Sequence, residues 1–442
     1  MSETRRSFTG HELVLVAIAF FGIFVYGMLT ALPGTVLPKL ERDQFLPNDA
    51  VVGNFLLINA VGAVLSYLIS GPVIDRIGKK FALVAGGLTV IISMVGMALV
   101  VTRVAPASAT GLLFACSLVL GLGANAIVSS GHALVADAAS TWRNSALNLL
   151  DVFFGLGLLV LPLVAGGLQE SGGLSLVFWS LAGATLALVI VVVFPRFPQP
   201  THPESFPIGD TKQLFTSASF WLLAIALFMY VGSEVAVGKW VVTYMQRDPQ
   251  LLTAYGVNAQ ALQNMAPQAL SAFFEQDASG KALAEYALRT LSLFGFALLV
   301  GRLVSSFLLG VMKVNTFVLL TIGSVLSAIG IGISVTSSSP DAVRWAVALT
   351  GFSMGPIFPT SVGLASVIAP RIAGTAMSLV MGIGFAGLLV IPPSVGYLSS
   401  AVGGEKGDVR TGMYVILAAA IVMALLHALL ALRERKTKTS TQ

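Results

Sequence analysis

The chain has 442 residues, 56% of them hydrophobic and 10% charged, with a formal net charge of +5 and a mean hydropathy of +0.89. Soluble domains carry about 25% charged residues, and a globular interior of this size cannot hide so much apolar side chain; a soluble enzyme or nucleic-acid-binding domain is excluded, and an integral membrane protein remains. A lone cysteine, Cys116, excludes an internal disulfide framework or a cysteine-built metal cluster.

An apolar stretch of about 20 residues crosses a hydrocarbon core of about 30 Å. Twelve such stretches occur, at approximately 12–37, 49–72, 80–101, 110–136, 145–167, 174–194, 219–244, 287–311, 315–336, 343–367, 374–399 and 411–431. The first is too long for a cleaved signal peptide and lacks a small-residue cleavage site, so it is read as a retained spanning helix. Between the sixth and seventh lies Pro195-Arg196-Phe197-Pro198-Gln199-Pro200 and then a polar stretch to about 217. This predicts a linker, 196–217, between two six-helix halves, 1–195 and 218–442. The expected fold class is an all-α membrane protein in a 6+6 arrangement with pseudo-two-fold symmetry. A second break, at about 247–286, carries Ala-, Gln- and Leu-rich pieces such as 259–274 that predict short surface helices in an insertion outside the membrane.

Short loops rich in Lys and Arg stay cytoplasmic. With the N-terminus inside, Arg5, Arg6, Arg76, Lys79, Lys80, Arg143, Arg196, Lys212, Lys313, Arg371, Arg433, Arg435, Lys436 and Lys438 fall inside, against Lys39, Arg42, Arg103, Arg344, Lys406 and Arg410 outside. Both termini are expected in the cytoplasm and the 247–286 insertion outside.

The inner turn between the second and third spans reads Gly71-Pro72-Val73-Ile74-Asp75-Arg76-Ile77-Gly78-Lys79-Lys80. Gly71 allows close helix approach, Asp75 can accept from a neighbouring helix end, and Arg76, Lys79 and Lys80 can pair with acids or lipid phosphates. Asp137 and Arg143 flank the next inner turn. The segment resembles the G-x-x-x-D-R-x-G-[RK]-[RK] signature of the major facilitator superfamily, in which such a charged latch holds one transport state. A plain cytoplasmic basic cluster is the alternative.

Further segments resemble the sugar:cation symporter branch of that superfamily, which includes the fucose:proton symporter. They are Tyr230 to Trp240 on the seventh span (Y-V-G-x-E-x-x-x-G-x-W), Ala133 to Asp137 and Leu147 to Gly157 on the fourth and fifth, and Gly355-Pro356-Ile357-Phe358-Pro359-Thr360 on the tenth. Three positions depart from the pattern. His132 stands where an asparagine is expected, Asp151 where a histidine is, and Lys239 where a small residue is. The fucose symporter's buried coupling carboxylate has no counterpart, since Gly34 and Ala126 fall near those places. The resemblance implies import of a neutral, hexose-like sugar with a cation, a proton or sodium, by alternating access, with no cofactor or metal, no nucleic-acid partner, a monomeric state and a bacterial inner-membrane location. A proton-driven drug or metabolite exporter of the same fold is the competing reading.

Ionisable groups inside a membrane cost at least about 2.5–3.5 kcal/mol and so mark function or a partner. Asp151 sits between Leu149-Leu150 and Phe153-Phe154 with His132 at similar depth, a candidate proton-coupling pair; a salt bridge from Asp151 to Arg143 is the structural alternative. Glu234, mid-way along the seventh span, is a candidate substrate or coupling carboxylate. Lys239 lies about 7.5 Å further along at 1.5 Å per residue, there to neutralise a carboxylate, to reach an anionic substrate group or to snorkel. Arg302 is expected toward the outer half of the eighth span, paired with Glu234. Asn59, Asn125, Ser129, Ser130, Asn148, Thr360 and Ser361 offer amides and hydroxyls for sugar, and Tyr26, Tyr230, Trp240 and Phe358 offer aromatic faces. The Pro/Gly clusters at 33–34, 355–359 and 392–393 are expected to kink or break their spans.

Overall fold

A computed structural model describes residues 10–138, 143–197, 214–369, 373–404 and 407–440. Arg5, Arg6, Lys212, Arg371, Lys406 and most of the expected linker lie outside those residues, as do the side chains of Asp75, Arg143 and Asn148 and the surroundings of Gly71.

Every regular element among the described residues is helical. The first five are α1 (Gly10–Arg42), α2 (Asp49–Arg76), α3 (Lys79–Arg103), α4 (Pro106–Ala138) and α5 (Arg143–Val193). After α6 (Ala218–Arg247) come three short helices, α7 (Pro249–Ala254), α8 (Ala259–Gln263) and α9 (Pro267–Gln276). Then follow α10 (Ala278–Gly310), α11 (Thr316–Thr336), α12 (Pro340–Met354), α13 (Ile357–Ile368), α14 (Ala373–Ala386), α15 (Ile391–Gly403) and α16 (Val409–Ser440).

Helix ends follow local chemistry. Asn48, Ser217 and Asn315 accept backbone N–H bonds at the starts of α2, α6 and α11, satisfying donors that no helical carbonyl reaches. The α2–α3 turn is only two residues long because Gly78 takes φ 113°, a backbone that side-chain-bearing residues avoid. The 51 residues of α5 would extend about 76 Å as one rod, but Gly172 and Gly173 leave helical geometry, Gly173 at φ 66° and ψ −165°. Among the described residues eleven helical spans are long and apolar enough to cross a membrane, with α5, α12–α13 and α14–α15 each taken as one.

The proline clusters act unequally. Helix α1 runs unbroken through Pro33 and Pro38, whereas the tenth predicted span divides at Gly355-Pro356 into α12 and α13, and the eleventh at a 3₁₀ turn over Gly387–Leu389 into α14 and α15. The insertion forms the expected short helices around a core of its own, Leu252, Val257, Leu262, Phe274 and Leu283. Helix α10 begins nine residues before the expected 287, at Ala278, because Asp277 caps it by accepting from Ser279 and Gly280.

Helices α1 to α5 join the later helices along three lines: α1 with α6, α2 with α15, and α5 with α10. At the end of the bundle away from the 71–80 turn, these lines are fastened by charge. Arg247 pairs with Glu41 and Asp49; Asp49 also accepts from Ser399. Arg42 donates to Gln246 at 2.6 Å and covers the Phe274 ring, and Lys39 pairs with Glu275 of the insertion. Arg410 grips Asp248 with two bonds of 2.7 Å. At the opposite end Lys79 pairs with Asp137, tying α3 to α4, and Lys80 donates to the Val193 and Pro195 carbonyls. The described contacts of the basic turn therefore hold together helices on the same side of the linker, while Arg76 is exposed.

Candidate functional site

The site is built on α4, α5, α6, α10 and α13, in the half of the bundle nearer the 71–80 turn. Arg302 is its hub. It lies eight residues from the end of α10 at Gly310, in the half nearer the 71–80 turn; this corrects the expected outer-half position, because α10 runs toward that turn. Its backbone is pressed against the α12–α13 break, where a Cβ on Gly355 would stand 2.7 Å from the Arg302 nitrogen. The guanidinium, in a residue 7% exposed, faces two ways. On its own side Nη2 is 3.9 Å from Glu234 Oε1. Across the α5–α10 junction Nη1 donates to the Asp151 carbonyl oxygen at 3.0 Å and Cζ lies 5.3 Å from the Phe154 ring. A planar, permanently charged fork is suited to such a double engagement.

Asp151 carries the line onward. Its Oδ1 is 4.0 Å from His132 Nε2, and His132 Nδ1 is 2.9 Å from the Val128 carbonyl, a turn back on α4. His132, Asp151, Arg302 and Glu234 thus form a chain of ionisable groups crossing from α4 to α6, with Tyr230 one turn before Glu234. Arg143, the structural alternative for Asp151, has no described side chain.

The same helices carry buried polar atoms without a hydrogen-bond partner among the described residues: Asn125 Oδ1, Ser129 Oγ, Ser130 Oγ, Ser361 Oγ and Arg302 Nε. Leaving such an atom unsatisfied costs about 1–3 kcal/mol, so a cluster of them marks a place that solute or water completes. Tyr230 and Phe358 stand 6.4 Å apart, and Phe358 continues to Phe385 and Tyr67; Tyr26 lies against Phe154. Lys239, 6% exposed, has no described partner. Thr360 is buried beside this group.

Two expected ligands are spent on packing. The Asn59 amide donates to the Ser117 carbonyl at 3.0 Å, joining α2 to α4. The Trp240 indole is fully buried and donates to the Pro392 carbonyl at 2.9 Å, joining α6 to α15, so its face is not a stacking platform. Sequence reasoning missed the charge network at the far end. Its members, Glu41, Asp49 and Arg247 among them, all sit where spans end on one side, and that common position was the available signal. Two cavities, of about 400 and 1020 Å³, lie at that same end and contain none of the central residues; the larger is lined by α5, α10 and the insertion.

Comparison with known proteins adds three findings. The model of the Major Facilitator Superfamily matches residues 19–274, more than half of the chain. The cis,cis-muconate transport protein of Acinetobacter baylyi is 24% identical over 439 residues, covering 97% of each chain. In fold, the chain is similar to a D-xylose-proton symporter, with a TM-score of 0.73, 14% identity and coverage of 95% of this chain and 97% of that one, and to the E. coli fucose:proton symporter, with a TM-score of 0.62, 14% identity and coverage of 95% and 99%.

Proposed function

Because the chain belongs to the major facilitator superfamily, we propose that it is a secondary active transporter that imports a hexose-sized sugar together with a cation, a proton for preference, by alternating access. Counting the two arms of α5 separately supports twelve spans in two halves, 1–195 and 218–442, joined by a linker at 196–217. The basic inner turns support a bacterial inner-membrane orientation with both termini cytoplasmic and the insertion external.

The observation that carries coupling is the position of Arg302, which engages Glu234 on its own side and Asp151 with Phe154 on the other. Whatever changes the charge on Asp151 or Glu234 changes the hold of Arg302 across the junction, and with it the balance between the two arrangements of the halves. A cation drives transport only by such differential binding to two states. The unpaired hydroxyls and amide around the chain, with Tyr230 and Phe358, supply what sugar recognition needs. The resemblance of 230–240 and 355–360 to the sugar:cation branch points the same way.

The test separates coupling from binding. In proteoliposomes, Asp151→Asn is expected to abolish accumulation against a gradient while sparing counterflow exchange. Unchanged accumulation under a pH gradient sinks the proton assignment, and accumulation that follows a sodium gradient instead reassigns the ion.

A further inference from the structure

Lys239 lacks a counter-charge. It lies five residues beyond Glu234 on α6 and is 6% exposed, and no described residue forms a hydrogen bond or ion pair with it. In sequence it stands between Gly238, whose carbonyl oxygen a Cβ on Gly34 of α1 would strike, and Trp240, whose indole donates to the Pro392 carbonyl of α15. Lys239 thus lies on the stretch of α6 that packs on α1 and on α15, and α15 is in turn joined to α2 by the 2.8 Å bond from Tyr397 to Asn54. This is the junction between early and late helices, on the same helix as Tyr230 and Glu234.

Two structural explanations fail. The charges at the end of α6 show how this protein fixes a cation for packing, because Arg247 has two acids and Asp248 has Arg410. Snorkelling along the stem does not serve either, since a snorkelled ammonium ends in water and Lys239 is buried. A buried ammonium with no anion is poor packing and a good receptor for one. The helices of the central site also carry neutral groups suited to hydroxyls and without a described partner, namely Asn125 Oδ1, Ser129 Oγ and Ser130 Oγ.

We propose that Lys239 binds a carboxylate and that the transported solute is an acidic sugar of the hexuronate or aldonate class, in place of the neutral hexose expected from the sequence. The inference rests on the sugar-symport reading above. A sugar phosphate fits less well, since a phosphate carries about −1.5 to −2 charges and, among the described buried residues, Lys239 is the one ammonium without a partner.

The experiment uses the full chain in proteoliposomes with an inward pH gradient and labelled glucose, glucuronate and gluconate. Wild-type uptake of at least one acid is expected to exceed that of glucose by about tenfold or more, the scale of a buried charge pair. Lys239→Gln is expected to erase that preference by raising the KM for the acid at least tenfold more than that for glucose, and Lys239→Arg to restore part of it. Because Lys239→Gln can fail to fold, the wild type is also challenged with glucuronamide, the uncharged analogue of glucuronate, which is expected to compete at least tenfold more weakly than the acid. Equal competition by acid and amide, or a glucose preference in the wild type, overturns the carboxylate assignment and leaves sugar symport standing. Failure of every sugar, acidic and neutral, to be taken up or to protect the protein from thermal unfolding overturns the sugar reading, and this inference falls with it.

Discussion

The Arg247 end of α6 and the interior of the same helix invite comparison. At Arg247 and Asp248 the helix meets acids and bases already in place: Arg247 holds Glu41 and Asp49, and Arg410 closes on Asp248 with two bonds. Further in, at Glu234 and Lys239, it offers one long ion pair of 3.9 Å to Arg302 and an ammonium with no anion among the described residues. Buried charges left to themselves are expensive in a membrane, so the satisfied set belongs to a contact that the protein makes for itself and the unsatisfied set to one completed by something that comes and goes. The first fastens the end away from the 71–80 turn; the second is where we propose that solute and coupling ion bind.

The sharpest way to break this comparison is at Arg302. Arg302→Ala strands Glu234 in the interior and removes the bond to the Asp151 carbonyl, a loss of about 3–5 kcal/mol for a buried pair with one member removed. Gradient-driven uptake is expected to fall by more than about 100-fold, two decades being about 2.7 kcal/mol. Arg302→Lys keeps the charge but not the fork, and an intermediate loss is expected because a point charge cannot face both ways. Uptake by Arg302→Ala near the wild-type rate means that the central pair is packing, like the far end.

A smaller effect is expected where the partners are fixed. Arg247→Ala leaves Glu41 and Asp49 facing each other without their cation, although Ser399 still donates to Asp49. The closed far end is expected to weaken by about 2–3 kcal/mol, somewhat less than a fully orphaned buried charge. The measurement is the labelling rate of a cysteine introduced at Asn54 in a Cys116→Ser background, using a membrane-impermeant maleimide. The rate is expected to rise by about tenfold or more as the end opens, one decade being about 1.4 kcal/mol. An unchanged rate means that the network does not control access.

How much of this was legible in the sequence divides along the same line. Long charge-poor stretches are a one-dimensional signal, so the helical membrane class, the insertion helices and the broken tenth span could be read directly, whereas α1 runs unbroken through Pro33 and the eleventh span breaks at 387–389, before its prolines. Buried charges announce themselves singly, which is why His132, Asp151, Glu234, Lys239 and Arg302 stood out. Their geometry did not, because it depends on which helices touch. The depth of Arg302 was misjudged along α10, and its bond to a main-chain carbonyl of α5 leaves no trace in side-chain identity. Asn59 and Trp240 have the right chemistry for sugar, yet tertiary contacts commit both to neighbouring helices. The far-end network was read only as topology, since a charge at a span end looks the same whether it meets water or another helix.

The mildest perturbation sharpens the comparison most, because it removes one neutral contact and no charge. Tyr397 donates to Asn54 Oδ1 at 2.8 Å, joining α15 to α2. Tyr397→Phe takes away one hydrogen bond of about 0.5–1.5 kcal/mol and leaves the ring in place. Tyr397 is 39% exposed, so water can take over the Asn54 oxygen and the loss should sit at the low end of that range. If the far end is a seal shared among Arg247, Ser399 and Tyr397, maleimide labelling of a cysteine on α1 at Thr35 should rise by about two- to fourfold, while the substrate KM stays at the wild-type value. A change in KM with no change in labelling places Tyr397 with the central site instead, and the division between a self-satisfied end and a ligand-satisfied centre then fails at the residue where it is drawn most finely.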